Sequence, residues 1–129
     1  MSDRDEAVEL LQIAERELRA LKGMLDTEVF SDEVFGFLAQ QSAEKALKAW
    51  LCTLGRTYPF SHDLVDLLSR LEDDGEKVAE FWALADLNPF AVELRYSALT
   101  FGDSPLDRAD IIGRVEELIR RVAERIRAA

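Results

Sequence analysis

The sequence predicts an all-α fold, an antiparallel bundle of about five helices with an up-and-down-like four-helix core. Apolar residues recur at spacings of three and four along most of the chain, and no stretch sustains the alternation of a strand. The helical stretches are separated by short clusters of Gly, Pro, Asn and Asp, which predicts short connections. There is neither an internal repeat nor a low-complexity tract.

The first helix is predicted from Asp3 to about Met24, because Ala7, Leu11, Ala14, Leu18, Leu21 and Leu25 alternate four- and three-residue steps and form one stripe. DTEVFSDEV then holds turn formers and an N-cap, Ser31 or Asp32, for a second helix from about Asp32 to Leu54. Gly55 supplies its left-handed C-cap. In RTYPF, Pro59 breaks the pattern, and Ser61 is predicted to cap a shorter helix carrying Leu64, Leu67, Leu68 and Leu71.

EDDGE closes that helix. Val78, Phe81, Trp82 and Ala85 predict a fourth helical face, which Asn88 and Pro89 end before an irregular FAVELRYSALTFGD segment. Ser104, with Pro105 at the first helical position and Asp107 in the first turn, starts a fifth helix. It carries Ile111, Ile112, Val115, Leu118, Ile119, Val122 and Ile126.

A length of 129 residues fits one domain, 1–129, and the 48% of hydrophobic residues can build its core. The net charge of −10 repels phosphate backbones and anionic lipid at long range, so neither DNA nor a membrane is an expected partner. One cysteine, Cys52, gives no disulfide framework, and one histidine beside it cannot assemble a zinc site. No metal and no cofactor are expected. The N-terminus lacks a basic start and an apolar run, and no apolar stretch is long enough to span a bilayer, so a cytoplasmic location is expected.

The second helix contains QQSAEKALKAWL. Gln41, Glu44, Lys45 and Lys48 stand at i, i+3, i+4 and i+7 and share one face. Phe35, Ala39, Ser42, Ala43, Ala46, Leu47, Trp50 and Leu54 form a broad apolar side, so one helix has two surfaces to satisfy. The polar stripe reads either as a solvated face with a Glu44–Lys48 ion pair, or as a surface turned toward a partner or an anionic ligand.

QQSAEKALKAWL, then YPFSHDLVDLL, then LNPFAVELRYS, in this order and spacing, resemble the HEPN family of small helical proteins (higher eukaryotes and prokaryotes nucleotide-binding). The resemblance implies a bundle of about five helices that commonly forms a homodimer. It also implies a partner, a minimal nucleotidyltransferase-family protein, in a two-component toxin–antitoxin-like module, with a nucleotide or RNA as ligand. The polar stripe would then be a ligand- or partner-facing surface. Arg95 and Tyr96 match the family's late Arg-Tyr pair, for which phosphate or base contact and plain structural packing both remain open.

Ribonuclease members of the family pair an arginine with a histidine separated from it by four to six residues, usually acting across a dimer, and cleave without metal. Arg56 and His62, with TYPFS between them, fit that spacing and are the candidate catalytic pair. A histidine can transfer the 2′-hydroxyl proton, and an arginine can stabilise charge developing on phosphate. Ordinary packing of His62 at a helix start is the competing reading, and where the ribonuclease branches commonly carry a tyrosine or another polar residue just beyond the histidine, Asp63 and Leu64 follow here. Ser61, His62 and Asp63 are consecutive and cannot form a hydrolase triad. The chain lacks the glycine-serine turn and paired aspartates of a nucleotidyltransferase, and has no GxxxxGK loop. Three functions follow: an accessory module of a nucleotidyltransferase, a metal-independent ribonuclease, or a structural dimerisation domain.

Overall fold

The computed structural model describes residues 3–93 and 105–128. Among these, the chain forms α1 (Asp3–Lys22), α2 (Asp32–Thr53), α3 (Leu64–Asp73), a 3-10 helix (Ala79–Leu87), a single turn α4 (Phe90–Glu93) and α5 (Arg108–Ala128). No strand occurs among the described residues, so the fold is all-α as the periodicity predicts.

The central element is α2, which packs against every other helix. That position explains its composition. From Ser42 to Cys52 nearly every residue is buried, and alanines at 39, 43, 46 and 49 let neighbouring backbones approach closely. The Ser42 hydroxyl donates to the Ala14 carbonyl of α1 at 2.9 Å, so the polar atom on this apolar face is satisfied across the helix contact.

Directions follow from the contacts. The start of α1 reaches the segment after α2, where Tyr58 meets Glu6, so α1 and α2 are antiparallel. The start of α5 meets the start of α2 through Arg108 and Asp32, and Arg121 lies over Trp50 near the far end. Hence α2 and α5 run the same way, and α3, the 3-10 helix and α4 lie in the crossover between them. The predicted stripe of α1 is buried at Ala7, Leu11, Ala14, Leu18 and Leu21, whereas Leu25 lies past the helix end and is exposed.

Helix ends obey capping chemistry, with two corrections. Ser31 caps α2, accepting from the Val34 N–H at 3.2 Å. Past its end, Gly55 has φ +70°; its N–H reaches the Cys52 carbonyl and that of Arg56 reaches Leu51, a Schellman closure as predicted. The cap of α3 is Asp63, not Ser61, because Asp63 accepts from Val65 N–H at 2.9 Å while Ser61 Oγ only holds Asp63 N–H. Likewise α5 begins at Arg108, three residues beyond Pro105, because the Asp107 side chain takes the Asp110 N–H.

The fourth element is a 3-10 helix rather than an α-helix. Its buried residues are Val78, Phe81, Leu84, Leu87 and then Phe90, a strict three-residue period that turns one edge inward with each 3-10 turn. Trp82 and Ala85, expected on the buried face, are only partly buried. Phe90 reaches α2 at Gly36, where a Cβ would stand 2.5 Å from the ring; only glycine allows the phenyl to lie on the helix backbone. Phe81 meets Trp50 edge to face at 6.1 Å.

Candidate functional site

The polar face of α2 is not a solvated stripe. Glu44 and Lys48 are buried, and Gln41 and Lys45 are half-buried. Lys48 Nζ donates to Glu44 Oε2 at 2.9 Å, so the predicted ion pair forms, but inside the protein. Lys48 also lies 5.4 Å from the centre of the Tyr58 ring, whose hydroxyl donates to Glu6 Oε1 at 2.6 Å. The connecting segment 54–63 thus folds back over the stripe. The helical pattern breaks at Pro59 as expected, and Tyr58 roofs the lysine.

Gln40, one residue before the predicted stripe, completes the arrangement. Its Nε2 donates to Glu44 Oε1 at 3.2 Å and to the His62 carbonyl at 2.7 Å, while its Oε1 accepts from Gln41 Nε2 at 2.9 Å. Gln41 Oε1 in turn accepts from Lys45 Nζ at 2.9 Å, and Lys45 also donates to Glu17 Oε1 at 3.1 Å. The four stripe residues, Gln40 and Glu17 therefore form one continuous hydrogen-bonded chain from α1 to the segment before α3. The paired glutamines were visible in the sequence, but nothing in them showed that the first points inward.

Burial alone would push the Glu44 carboxyl up. Hydrogen bonds from Lys48 and His62, with the Lys48 charge, outweigh it and hold the carboxyl below the usual range, so Glu44 is an anion. Glu17 behaves oppositely. Its burial dominates the attraction of Lys45 and raises its carboxyl, and Glu17 Oε2 has no hydrogen-bond partner.

His62 Nδ1 stands 2.8 Å from Glu44 Oε1, at the boundary between this network and solvent. Its side chain is 65% exposed, against 4% for Glu44. Phe60, two residues earlier, is fully exposed. Arg56 is engaged elsewhere: Nε and Nη2 form a two-point pair with Asp74, at 3.1 and 2.9 Å. Asp74 follows the last residue of α3 and His62 precedes the first, so a ten-residue helix about 15 Å long lies between the two contacts. Within one chain the structure does not bring Arg56 and His62 together. Arg95 and Tyr96 lie outside the described residues.

Chemically, the site offers a buried anion that orients an exposed imidazole. Among the described residues no cluster of His, Cys, Asp and Glu could hold a metal ion, and no helix is long and apolar enough to cross a membrane.

The model of the HEPN domain family matches residues 7–126, nearly the whole chain. The chain belongs to the HEPN domain family. A solved structure agrees with this HEPN fold: the crystal structure of TT1696 from Thermus thermophilus superposes with a TM-score of 0.70 at 25% sequence identity, covering 93% of this chain and 98% of that one. A search of curated proteins gives no match. In this HEPN domain the family-like QQSAEKALKA stretch builds the buried network, and YPFSHDL is the segment that closes over it.

Proposed function

We propose that this HEPN domain is a nucleotide-associated interaction module that acts in the cytoplasm, as a homodimer, with a nucleotidyltransferase-family protein in a toxin–antitoxin-like pair. The observation that carries the reading is the presentation of segment 54–63. Its inner side is fixed by Gln40, Glu44 and Lys48, while Arg56, Phe60 and His62 turn outward. An exposed phenyl two residues from an exposed imidazole suits a protein surface or a nucleotide, and the net charge of −10 favours either over long RNA. The buried Glu44 and Lys48 support that surface from beneath, and Gln41 and Lys45 form its half-buried rim.

Light scattering of the purified protein, alone and mixed with the product of a neighbouring nucleotidyltransferase-like gene, tests the reading. A dimer that forms a stable complex, weakened by Phe60→Asp, supports it. Indifference to that protein and to nucleotides sinks it and favours a structural dimerisation domain.

The Glu44–His62 contact favours a second reading, a metal-independent ribonuclease using His62 and Arg56. Because Arg56 holds Asp74 at the far end of α3, its guanidinium would have to exchange that partner or reach the histidine of a second copy. RNA cleavage in EDTA, lost in both His62→Ala and Arg56→Ala, supports the reading; a fully active, folded His62→Ala protein removes it.

A further inference from the structure

An exposed imidazole beside a buried carboxylate is poised differently from a surface ion pair. Glu44 cannot turn to follow His62, because Lys48 takes its other oxygen and Gln40 donates to the same oxygen that meets Nδ1. His62 cannot withdraw, because the second proton of the Gln40 amide holds its carbonyl at 2.7 Å. The Gln40 amide itself cannot flip, because Gln41 donates to its oxygen. Backbone and ring of one residue are therefore clamped by two side chains one helical turn apart on α2. An ionised carboxylate only accepts, so the ring proton sits on Nδ1 and the lone pair of the neutral ring is left on Nε2.

We propose that Glu44 is a positioning residue that fixes His62 as the Nδ1–H tautomer and presents Nε2 as the proton acceptor for a ribose 2′-hydroxyl in single-stranded RNA. The use in cleavage rests on the ribonuclease reading above. Nε2 takes the 2′-hydroxyl proton as O2′ bonds to phosphorus and the P–O5′ bond breaks. The departing 5′ oxygen takes a proton from water, and the hydroxide formed recovers the proton from Nε2. The products are a 2′,3′-cyclic phosphate and a 5′-hydroxyl, with nothing oxidised or reduced.

The chain has a single histidine, so a long-range proton–nitrogen correlation spectrum of labelled protein reports this ring alone. With the ring neutral, the wild type is expected to show Nδ1–H. In Glu44→Gln the lone carboxamide oxygen goes to Lys48, the amide N–H faces Nδ1, and the ring is forced to Nε2–H, which removes the acceptor. The kcat for RNA cleavage in EDTA should then fall roughly 100-fold with KM little changed. A wild-type ring protonated on Nε2 overturns the proposal whether or not RNA is cleaved. A folded Glu44→Gln protein with the Nε2–H ring and undiminished kcat overturns the positioning role. A wild type that shows Nδ1–H but cleaves nothing overturns the ribonuclease reading and the acceptor role with it, while supporting the clamp on the ring.

Discussion

Arg108 Nη2 donates to Asp32 Oδ1 at 2.9 Å and so ties the first turn of α5 to the first turn of α2. The same guanidinium donates to the carbonyls of Met24 and Phe30, both at 2.6 Å, and lies over the Phe35 ring. Asp32 also accepts from the Leu106 N–H at 3.1 Å. One buried side chain thus closes the connection between α1 and α2, whose carbonyls would otherwise be left without donors.

Arg108→Ala is therefore expected to cost about 3 kcal/mol, because it leaves two carbonyls and one oxygen of the Asp32 carboxylate without the guanidinium that donates to them. For a chain of this size that lowers the melting temperature by about 10 °C. Arg108→Lys should recover little, since one ammonium cannot reproduce the planar fork. Urea denaturation of the three proteins checks this, and an alanine variant as stable as the wild type would show that water replaces the guanidinium.

Gly36 and Phe90 should be coupled with a change of sign. In the wild type, Gly36→Ala puts a methyl into the Phe90 ring and should cost about 1–3 kcal/mol. In a Phe90→Ala background the clash is gone, and alanine's better helix propensity should make the same change stabilising by up to about 1 kcal/mol. A double-mutant cycle measures the difference, and additive effects would mean that the ring does not rest on Gly36.

Glu44 makes a defined contribution to acid unfolding. Its carboxyl is held below the ordinary 4.5, so its ionised form favours the folded state. That stability is complete above the ordinary value and is lost as pH falls through the lower folded one. Stability curves for wild type and Glu44→Gln should be furthest apart at neutral pH and converge in acid, below pH 4.5. Glu17, whose carboxyl is raised, acts with the opposite sign: its ionisation opposes folding above its raised value, and that cost disappears as pH falls toward 4.5. A gap between wild type and Glu44→Gln that widens in acid would contradict the buried-anion assignment.

Cys52 is buried on α2, and burial together with Glu6 and Asp3 pushes its thiol up to about 11. Native protein should leave an aromatic disulfide reagent unreacted at mildly alkaline pH and react with one equivalent once unfolded. Fast labelling of the native state would mean that the end of α2 opens locally.

The sequence carried the long elements well, because α1, α2 and α5 each hold apolar residues at helical period through about four turns or more. It carried the 3-10 helix too, in the three-residue period of Val78, Phe81, Leu84, Leu87 and Phe90. Grouping Trp82 and Ala85 with Phe81 imposed the α-helical period and hid it. In the candidate site, the i, i+4 spacing of Glu44 and Lys48 was legible but their burial was not. What covers them, Tyr58 and His62, arrives from a separate segment. Arg108 was invisible for the same reason. Its partners lie 84, 78 and 76 positions away, and at a helix start an arginine looks like any solvated charge. The choice between Ser61 and Asp63 turned on which oxygen reached a free N–H, which composition does not decide.

Gln40, Glu44 and Lys48 are successive rungs of one ladder, and the core alanines 39, 43 and 46 occupy the adjoining one. A single residue inserted or deleted between positions 40 and 48 would turn everything beyond it by about 100° around the helix axis. It would carry Lys48 into the core place of Leu47 or Ala49 and move the Trp50 indole out of its own place into that of Ala49 or Leu51. Changes of chain length should therefore be nearly absent from this stretch in viable variants and collect instead in the exposed residues from Leu25 to Val29, between the two carbonyls that Arg108 holds.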